Sequence, residues 1–304
     1  MLMPEFVFMN LRGRYQEIRR MTGDAGSERR GLNMRLIGRI QIPLPPIEEQ
    51  QKIVAILDEA FEGLDRARAN AEANFQSAQE LFERIASGVF NEISDDPLKE
   101  ITAVKDVVAA HKGAIRTGPF GSQLLHSEFV DDGIAVLGID NAVSNEFRWG
   151  KRRFITEQKY EGLKRYTVRP GDVIITIMGT CGRCAVIPAE FPLAINTKHL
   201  CCITLDRSRC LPQYMHAYFL HSPKARSYLQ NEASGSVMDG LNMGIIKELP
   251  LDLPCLEKQH QIVEFLDCAR LRTQTLTSLG KLTLSDVGEL RQSLLTMAFS
   301  GGLS

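Results

Sequence analysis

The chain has no long hydrophobic run and few cysteines. Nowhere in its 304 residues is there an uninterrupted apolar stretch of the roughly 18 residues that a membrane-spanning helix needs. The N-terminus lacks the basic start of a secretory signal peptide. Seven cysteines, an odd number in a chain without such a signal, favour a reducing compartment over a disulfide framework. We therefore expect a cytoplasmic protein with no membrane partner.

Motifs of catalysis are also missing. The sequence contains neither an Asn-Pro-Pro-aromatic motif for amino-group methylation nor a glycine-rich phosphate loop of the GxxxxGK type. No nucleophile–base set can be argued from residue order alone. These absences predict that the chain is not an enzyme and has no catalytic residues of its own.

Four cysteines in one region, Cys181, Cys184, Cys201 and Cys202, raise the alternative of a zinc site. Cys201 and Cys202 are adjacent on a probable strand, where successive side chains point to opposite faces. Two such thiols do not turn toward the same ion. We expect no metal site, and small buried side chains instead.

The chain does contain a long internal repeat. Residues 31–60 align without a gap to residues 240–269, and 14 of the 30 positions are identical, where chance gives roughly two at ordinary residue frequencies. The offset of 209 residues is too long for a solenoid repeat. The repeat predicts one structural unit used twice, with a separate domain between the copies.

Each copy of the repeat continues into a predicted long helix. From residue 47 to 91, apolar residues recur at alternating spacings of three and four, and such a helix would be roughly 68 Å long. The second copy has a weaker seam of the same spacing. Because an apolar stripe needs a partner, we expect the helices to pack as an antiparallel coiled coil; two ordinary core helices are the alternative. The seam includes Val54, Leu57, Phe61, Leu64, Phe75, Phe82, Ile85, Ile262, Leu266, Leu276, Leu290 and Leu294.

The residues between the helices differ in character. Short β-rich runs, such as 134–139 and 172–177, are separated by turn signals, and a helical stretch follows at 211–230. This pattern predicts an α+β fold with a mostly antiparallel sheet. Residues 97–239 hold 18 Lys and Arg against 14 Asp and Glu, in a chain of net charge −1. The mild basic excess is compatible with nucleic-acid binding and also with an ordinary solvated surface.

Several short motifs occur in a fixed order along the chain. They are residues 44–54 (LPPIEEQQKIV), their repeat at 253–263, residues 117–124 (TGPFGSQL), 169–174, 179–183, and 234–236 before Leu241 and Asn242. In this order, and with the duplicated helix, they resemble the DNA-specificity subunits of type I restriction–modification systems. The resemblance covers nearly the whole chain.

The resemblance implies two target-recognition domains that alternate with two long antiparallel helices. Each domain would read half of a split DNA site, and the helices would set the distance between the two halves. The implied partners are double-stranded DNA, methylation (M) subunits and a restriction (R) subunit. The chain itself would bind no cofactor, because S-adenosylmethionine, ATP and Mg would act on the partner subunits.

This chain departs from that plan, because it has both helices but one complete recognition domain. The expected domains are the tail of an incomplete first recognition domain, the first spacer helix, the complete recognition domain and the second spacer helix, at residues 1–43, 44–96, 97–252 and 253–304. A second copy of the chain, or another half-subunit, is then a further candidate partner. The alternative function is a truncated remnant or interaction protein that binds methylation subunits without reading DNA.

Candidate DNA-binding residues lie in the middle domain. Specific recognition needs side chains that reach base edges and others that contact phosphates. A basic cluster after Gly150 and three loops near glycine, proline or strand starts carry such side chains. The candidates are Ser122, Gln123, Lys151, Arg152, Arg153, Thr180, Arg183, Asn196, Lys198 and His199.

Each of these candidates has a plainer interpretation. The basic cluster is equally typical of a solvated strand end. Ser122 and Gln123 fit ordinary turn chemistry. His199 fits a core histidine with its hydrogen bonds satisfied.

Overall fold

The computed structural model describes residues 1–21, 33–234 and 240–300, so repeat positions 31–32 and motif residues 235–236 lie outside it. The helices are α1 (Pro4–Gly13), α2 (Tyr15–Arg20), α3 (Met34–Ile37), α4 (Ile47–Asp95), α5 (Glu157–Glu161), α6 (Pro212–His221), α7 (Pro223–Ser234), α8 (Met243–Lys247) and α9 (Leu256–Phe299). The strands are β1 (Glu100–Ala103), β2 (Ile115–Thr117), β3 (Ile134–Leu137), β4 (Phe154–Ile155), β5 (Thr167–Val168), β6 (Val173–Thr176), β7 (Cys184–Val186), β8 (Ala194–Asn196), β9 (Leu200–Ile203) and β10 (Pro250–Leu253).

The two predicted long helices are confirmed. Helix α4 has 49 residues and α9 has 44. Pro45 and Pro46 precede α4, Glu48 and Glu49 lie in its first turn, where carboxylates favour the helix dipole, and Pro97 follows its end. Within the described ranges, no helix is long and apolar enough to cross a membrane.

The chain forms two compact units, Met1–Glu80 with Arg272–Ser304, and Leu81–Leu271. In the first unit α4 and α9 pack in opposite directions, as predicted. Gly280 lies against Phe75, whereas Arg291 lies further along α9 and pairs with Asp65, earlier on α4, at 2.8 Å. A Cβ added to Gly280 would lie 3.6 Å from Phe75 Cβ, so the helices approach closely there.

The predicted seam is confirmed along the first part of α4. Val54, Leu57 and Phe61 are buried, and they cluster with Leu295 and Ala298 of α9. Leu64 and Leu294 pack against the same cluster while partly buried, and Phe75 is half-buried.

Two seam residues of α9 are predicted wrongly. Leu276 and Leu290 are about half exposed, because partial burial at these two steps falls on the next residue, Thr277 or Arg291. Thr273, Gly280 and Val287 are buried in the predicted register. Arg291 lies over the Phe61 ring at 4.6 Å. A heptad count ranks leucine above arginine, but a cation–π contact favours Arg291 over Leu290 at this step of the interface.

The second unit has three layers. A helical layer packs on one face of the sheet β2-β9-β6-β7, and the sheet β4-β3-β8-β5 packs on the other. Alternation along β6 shows this, because Val173 and Ile175 belong to the cluster with the helices, and Ile174 to the cluster between sheets.

The predicted antiparallel character is confirmed. The strand pairs are antiparallel except β3 with β8, and β1 pairs with β10 in a separate two-stranded sheet. Among the described residues, three sheets are present where a single sheet was expected.

The end of α4 and the start of α9 belong to the helical layer of this unit. Phe90 is fully buried, and its ring lies 5.4 Å from that of Tyr218 on α6. Ile262 and Leu266 are buried in the same cluster, as the seam predicts, and Phe82 packs against it. Ile85 is only half-buried, because burial has moved to its neighbour Ala86.

The adjacent cysteines point to opposite faces of β9, as predicted. Cys201 belongs to the cluster with the helices and Cys202 to the cluster between the sheets. Burial raises the pKa of Cys201 to about 12 and raises that of Cys202 well above its usual value. Both side chains are therefore protonated thiols that pack as small apolar groups.

The two copies of the repeat fold alike. Asn33 caps α3 by accepting from Leu36 N, and Asn242 caps α8 by accepting from Ile245 N. Each copy also buries one glutamine, Gln50 or Gln259, completely. The predicted duplication is thus a duplicated structure, down to individual hydrogen bonds.

Candidate nucleic-acid interface

Loops from four parts of the second unit border one open cavity of about 420 Å³. The loop after β2 contributes Leu124, the turn after β3 contributes Ile139, the segment before β4 contributes Arg153, and the turn between β8 and β9 contributes Lys198 and His199. The cavity thus brings together three candidates, Arg153, Lys198 and His199, that are up to 46 residues apart along the sequence.

Arg153, predicted as a DNA contact, lines this cavity in a fixed orientation. Its Nη2 donates to Asp140 Oδ1 at 2.9 Å. Asp140 is itself held, because the backbone N–H of Lys151 donates to its Oδ2 at 2.7 Å. Gly138 and Gly150 leave room for this pair, since a Cβ on either would lie under 3 Å from its atoms. The guanidinium is therefore set before any ligand arrives.

The other two members of the basic cluster differ from Arg153. Lys151 and Arg152 are exposed and follow Gly150 at the start of the segment that becomes β4. Nearby, Trp149 stacks on Phe191, with ring centroids 5.5 Å apart. The two exposed cations can reach phosphates without desolvation of a buried charge.

Lys198 and His199 lie half-buried on the opposite turn. Partial burial, and then the charges of Lys198 and Arg153, lower the pKa of His199. The imidazole is therefore neutral at pH 7 and has one donor and one acceptor nitrogen. Such a ring can hydrogen-bond a base edge, whereas Lys198 supplies the charge that a phosphate needs.

Asn196 has a structural role, and its predicted contact with DNA is corrected. It is completely buried, and its Nδ2 donates to Leu200 O at 3.0 Å. A Cβ on Gly118 would lie 2.1 Å from Asn196 O, so the loop after β2 presses against this turn. The sequence places Asn196 correctly at the turn but cannot show that the loop covers it.

Ser122 and Gln123 lie in a single 3-10 turn, Gly121–Gln123, at the edge of the cavity. Ser122 is exposed. Gln123 Oε1 accepts from Tyr166 Oη at 2.8 Å, which ties the loop to the domain. Ser122 thus stays a candidate contact, and Gln123 positions the loop that carries it.

Thr180 and Arg183 lie apart from the cavity lining. Both are exposed on the turn between β6 and β7, where Gly179 and Gly182 have positive φ. Arg183 borders a different depression, together with His221. The structure therefore does not group these two candidates with Arg153, Lys198 and His199.

Sequence reasoning missed Asp140, Ile139 and Phe129, which shape the cavity. The signal for Asp140 was weak: a glycine two residues earlier, at the end of a β-rich run. In the described part of the chain, no group of three or more His, Cys, Asp or Glu side chains is placed to hold a metal ion. The arrangement supports polar and electrostatic contact with a ligand.

Comparisons with known proteins identify related sequences and folds. Residues 11–72 and 130–281 match the family described as "Type I restriction modification DNA specificity domain". The chain is 23% identical to the EcoBI specificity subunit of Escherichia coli over 290 residues, covering 90% of this chain and 60% of that protein. Identity to the EcoKI specificity subunit of Escherichia coli is also 23%, covering 87% and 58%.

Two solved structures share the fold. One, described as the structural basis of complex assembly and conformational transition of the type I R-M system, has a TM-score of 0.78 at 21% identity, covering 98% of this chain and 71% of that one. The HsdS subunit from Thermoanaerobacter tengcongensis has a TM-score of 0.64 at 20% identity, covering 99% and 71%.

The chain spans about three fifths of the length of the curated relatives it matches. The matched family segments together make up more than two thirds of the chain. They include the cavity loops from Asp140 to His199 and large parts of both long helices. The chain therefore belongs to the family of type I restriction modification DNA specificity domains.

Proposed function

We propose that this chain is the sequence-specific DNA-recognition subunit of a type I restriction–modification complex. In this proposal partner subunits carry S-adenosylmethionine, ATP and Mg, and they perform adenine methylation and restriction. The chain itself acts without catalysis, by binding double-stranded DNA through the second unit.

One observation carries the proposal: a preoriented Arg153, a neutral His199 and Lys198 border one cavity beside the exposed Lys151 and Arg152. Exposed cations suit phosphates, which set the register of a protein on DNA. Oriented donors at a fixed position suit base edges.

The first prediction concerns the exposed cations. Replacing Lys151 and Arg152 together with alanine removes two phosphate contacts and should weaken binding to duplexes of every sequence. The slope of log affinity against log salt should become shallower by about 2, because each contact releases roughly one counterion. Fluorescence anisotropy with an arbitrary 30-base-pair duplex, titrated at several salt concentrations, measures both quantities.

A matched control is the double alanine variant of Lys105 and Arg209. These side chains carry the same charges but form exposed ion pairs with Glu248 and Glu100. It should keep the original slope. Equal slopes for both double variants would contradict DNA binding at the cavity.

We also propose that the helix pair docks methylation subunits. Leucines on α9 that do not face α4 support this, because Leu276, Leu279, Leu282 and Leu290 are each about half exposed or more. They recur at spacings of three and eight residues, which places them on one side of the helix. A leucine row in water is typical of an interaction surface.

The second prediction follows from this row. Leu276→Asp with Leu290→Asp should lower the affinity for the methylation subunit roughly tenfold or more, because apolar anchors dominate interfaces. The fold should be unaffected, since both side chains are already solvated. Co-purification and light scattering measure the complex. Gln274→Asp with Ser285→Asp, at exposed positions elsewhere on α9, is the control; equal losses in the two variants would exclude a specific leucine surface.

The same exposed row favours the second candidate function, a remnant that binds methylation subunits without reading DNA. Genome-wide adenine methylation, mapped with and without the gene, separates the two functions. Loss of one methylated motif supports DNA recognition. If the methylation map is unchanged, and if replacing Lys151 and Arg152 does not affect DNA binding, the remnant function is supported.

We further propose that two chains, or this chain and another half-subunit, join to read a two-part site. The single recognition domain at residues 97–252 supports this pairing. A monomer that still directs methylation of a two-part asymmetric motif would contradict it.

A further inference from the structure

Arg153 and Asp140 form an ion pair on the wall of the cavity, and both side chains remain accessible to a ligand. Arg153 Nη2 donates to Asp140 Oδ1 at 2.9 Å, and the two side chains are 25% and 31% exposed. Val136 N donates to Arg153 O at 2.9 Å, which fixes the backbone of Arg153 to β3. The pair therefore presents hydrogen-bond donors and acceptors side by side to a molecule that enters the cavity.

The turn that carries Asp140 is also held in place. The neighbouring Asn141 is buried, and its Oδ1 accepts from Gly138 N at 2.9 Å. Its Nδ2 donates to Arg148 O at 2.9 Å, which ties the turn to the segment that leads to Arg153. Both members of the pair thus keep their positions before a ligand binds. A site that is preorganised in this way loses less free energy on binding and tolerates fewer ligand geometries.

The charge of Asp140 argues against a phosphate as the ligand of this pair. A phosphate that approached Arg153 would also approach the Asp140 carboxylate, which repels it. The exposed Lys151 and Arg152 suit phosphates better. A ligand group without net charge fits the pair, and in double-stranded DNA such a group is the edge of a base pair.

The hydrogen-bonding capacity of the pair matches one kind of base pair. An arginine fork donates to two adjacent acceptors, and each carboxylate oxygen of Asp140 has a second lone pair besides the one that Arg153 Nη2 or Lys151 N uses. In the major groove a G·C pair presents two adjacent acceptors, guanine N7 and O6, and then a donor, the cytosine amino group. An A·T pair presents no two adjacent acceptors. Two donors beside an acceptor therefore complement G·C.

Arg153 also has a donor that the protein does not use. Its Nη1 is buried and has no hydrogen-bond partner among the described residues. Thr197 Oγ1 is in the same state, and Thr197 also lines the cavity. Buried polar atoms without a partner are rare in native proteins, because such atoms lower stability. A ligand in the cavity that carries adjacent acceptors supplies a partner for the guanidinium.

We infer that Arg153 and Asp140 together read one G·C base pair by its major-groove edge. The Arg153 guanidinium donates to guanine N7 and O6, and the Asp140 carboxylate accepts from the cytosine amino group. The inference rests on the proposed function, because it specifies a base pair for the domain that binds DNA. Lys151 and Arg152 then contribute affinity for any sequence, whereas Arg153 and Asp140 contribute preference at one position.

The test selects bound duplexes from a library with a randomised central segment, using the full chain, and sequences them. We expect a preference for G·C at one position that Arg153→Lys lowers roughly tenfold or more, because lysine keeps the charge but lacks the fork. Preferences at the other positions should persist. Arg148→Lys is the matched control, since Arg148 pairs with Glu146 at 3.1 Å outside the cavity lining. It should change no position.

Asp140→Ala gives a result that loss of a purely structural ion pair does not give. The same position should lose its preference for G·C. Arg153, without its counter-charge, becomes available to a phosphate, so the slope of log affinity against log salt should become steeper by about 1. Urea unfolding followed by the fluorescence of Trp149 checks that the Arg153 and Asp140 variants are folded.

Changes in the DNA keep the test independent of protein folding. At the G·C position of the selected duplex, 7-deazaguanine removes guanine N7, whereas inosine removes only the amino group in the minor groove. The unchanged chain should bind the 7-deazaguanine duplex about tenfold more weakly and the inosine duplex nearly as well as guanine. Equal affinity for guanine and 7-deazaguanine would overturn the inference. So would a selected sequence without a preferred G·C pair, or an Arg153→Lys variant that keeps every base preference.

The inference and the proposed function fail separately. The salt slope of the Lys151 and Arg152 double variant reports on DNA binding, whereas base preference in the Arg153→Lys variant reports on the G·C site. If the slope changes and the preferences do not, DNA binding is supported and the G·C site is contradicted. If the library shows no preferred base at any position, both sequence recognition and the G·C site are contradicted.

Discussion

Replacing Asp172 with alanine is expected to unfold most of the second unit at moderate urea concentrations. Asp172 is buried, and its Oδ2 accepts from Arg116 Nη2 at 2.5 Å. Its Oδ1 accepts from Thr204 Oγ1 at 2.7 Å, and Oδ2 also accepts from Arg169 N at 2.8 Å. Removal of the carboxylate leaves the Arg116 guanidinium buried without its counter-charge. Loss of one partner of a buried pair costs about 3–5 kcal/mol, a large part of the stability of a typical domain.

Urea unfolding followed by the fluorescence of Trp149 measures this effect, because Trp149 is the single tryptophan and lies in the second unit. Asp172→Asn, which keeps the shape and some hydrogen bonds, should cost less than alanine. Arg116→Met with Asp172→Leu should recover part of the loss, since no charge is then buried alone. If Asp172→Ala and the unchanged chain had the same urea unfolding midpoint, the Arg116–Asp172 pair would not be a main source of stability in this unit.

Replacing Gln259 with leucine is expected to destabilise the second unit by about 2–4 kcal/mol. Gln259 Oε1 accepts from Leu211 N at 2.9 Å, and Nε2 donates to the carbonyls of Arg209 and Pro254 at 2.8 and 2.9 Å. Leucine has nearly the same size but leaves these three backbone groups without a partner. Leaving a buried backbone group without a hydrogen bond lowers the stability by more than the net stabilisation that the hydrogen bond had contributed.

The chain supplies its own matched comparison in Gln50. Its Oε1 accepts from Met3 N at 2.9 Å, and its Nε2 donates to the carbonyls of Pro45 and Met1 at 2.9 and 3.1 Å. Gln50→Leu should cost only about 1 kcal/mol, because Met1 is exposed and water can replace the lost bonds there. Amide exchange in α1 measures the effect on the first unit. If Gln50→Leu and Gln259→Leu lowered the free energy of unfolding equally, exposure of the hydrogen-bond partners would not determine the cost.

The long helices were predictable because their signal is local and periodic. Pro46 and Glu48 mark the start of α4, and a three–four spacing runs through Val54, Leu57 and Phe61. The β-rich runs of the middle domain became strands β3, β6 and β9 for the same reason. Local patterns of this kind need no knowledge of distant residues.

The inner register of the helix pair was not predictable in this way. Leu290 fits the heptad spacing, but its neighbour Arg291 lies in the interface instead. The place of Arg291 depends on Phe61 of the other helix, more than 200 residues away in sequence. A pattern within one helix carries no information about the partner surface that it meets.

In the candidate interface, too, some features were predictable from the sequence and others depended on distant residues. The basic cluster and the turn at Lys198 and His199 were found from the sequence, and the structure brings Arg153 to that turn. The sequence does not distinguish the exposed Arg152 from Arg153, which Asp140 holds by a hydrogen bond. It also does not indicate that the loop carrying Gly118 covers Asn196. Contact with a ligand requires exposure, and exposure is set by residues that arrive from elsewhere in the chain.

The sequence by itself determined the family resemblance, the duplicated unit, both long helices and the α+β character of the middle domain, because each is written in local spacing or in direct repetition. Only the tertiary structure decided how the two copies differ. Ile37 and Ile246 are identical residues in matching positions, yet one is in water and the other is in a core. Burial depends on what packs against a residue, and in the described part of this chain a strand-bearing body packs on the second copy and not on the first.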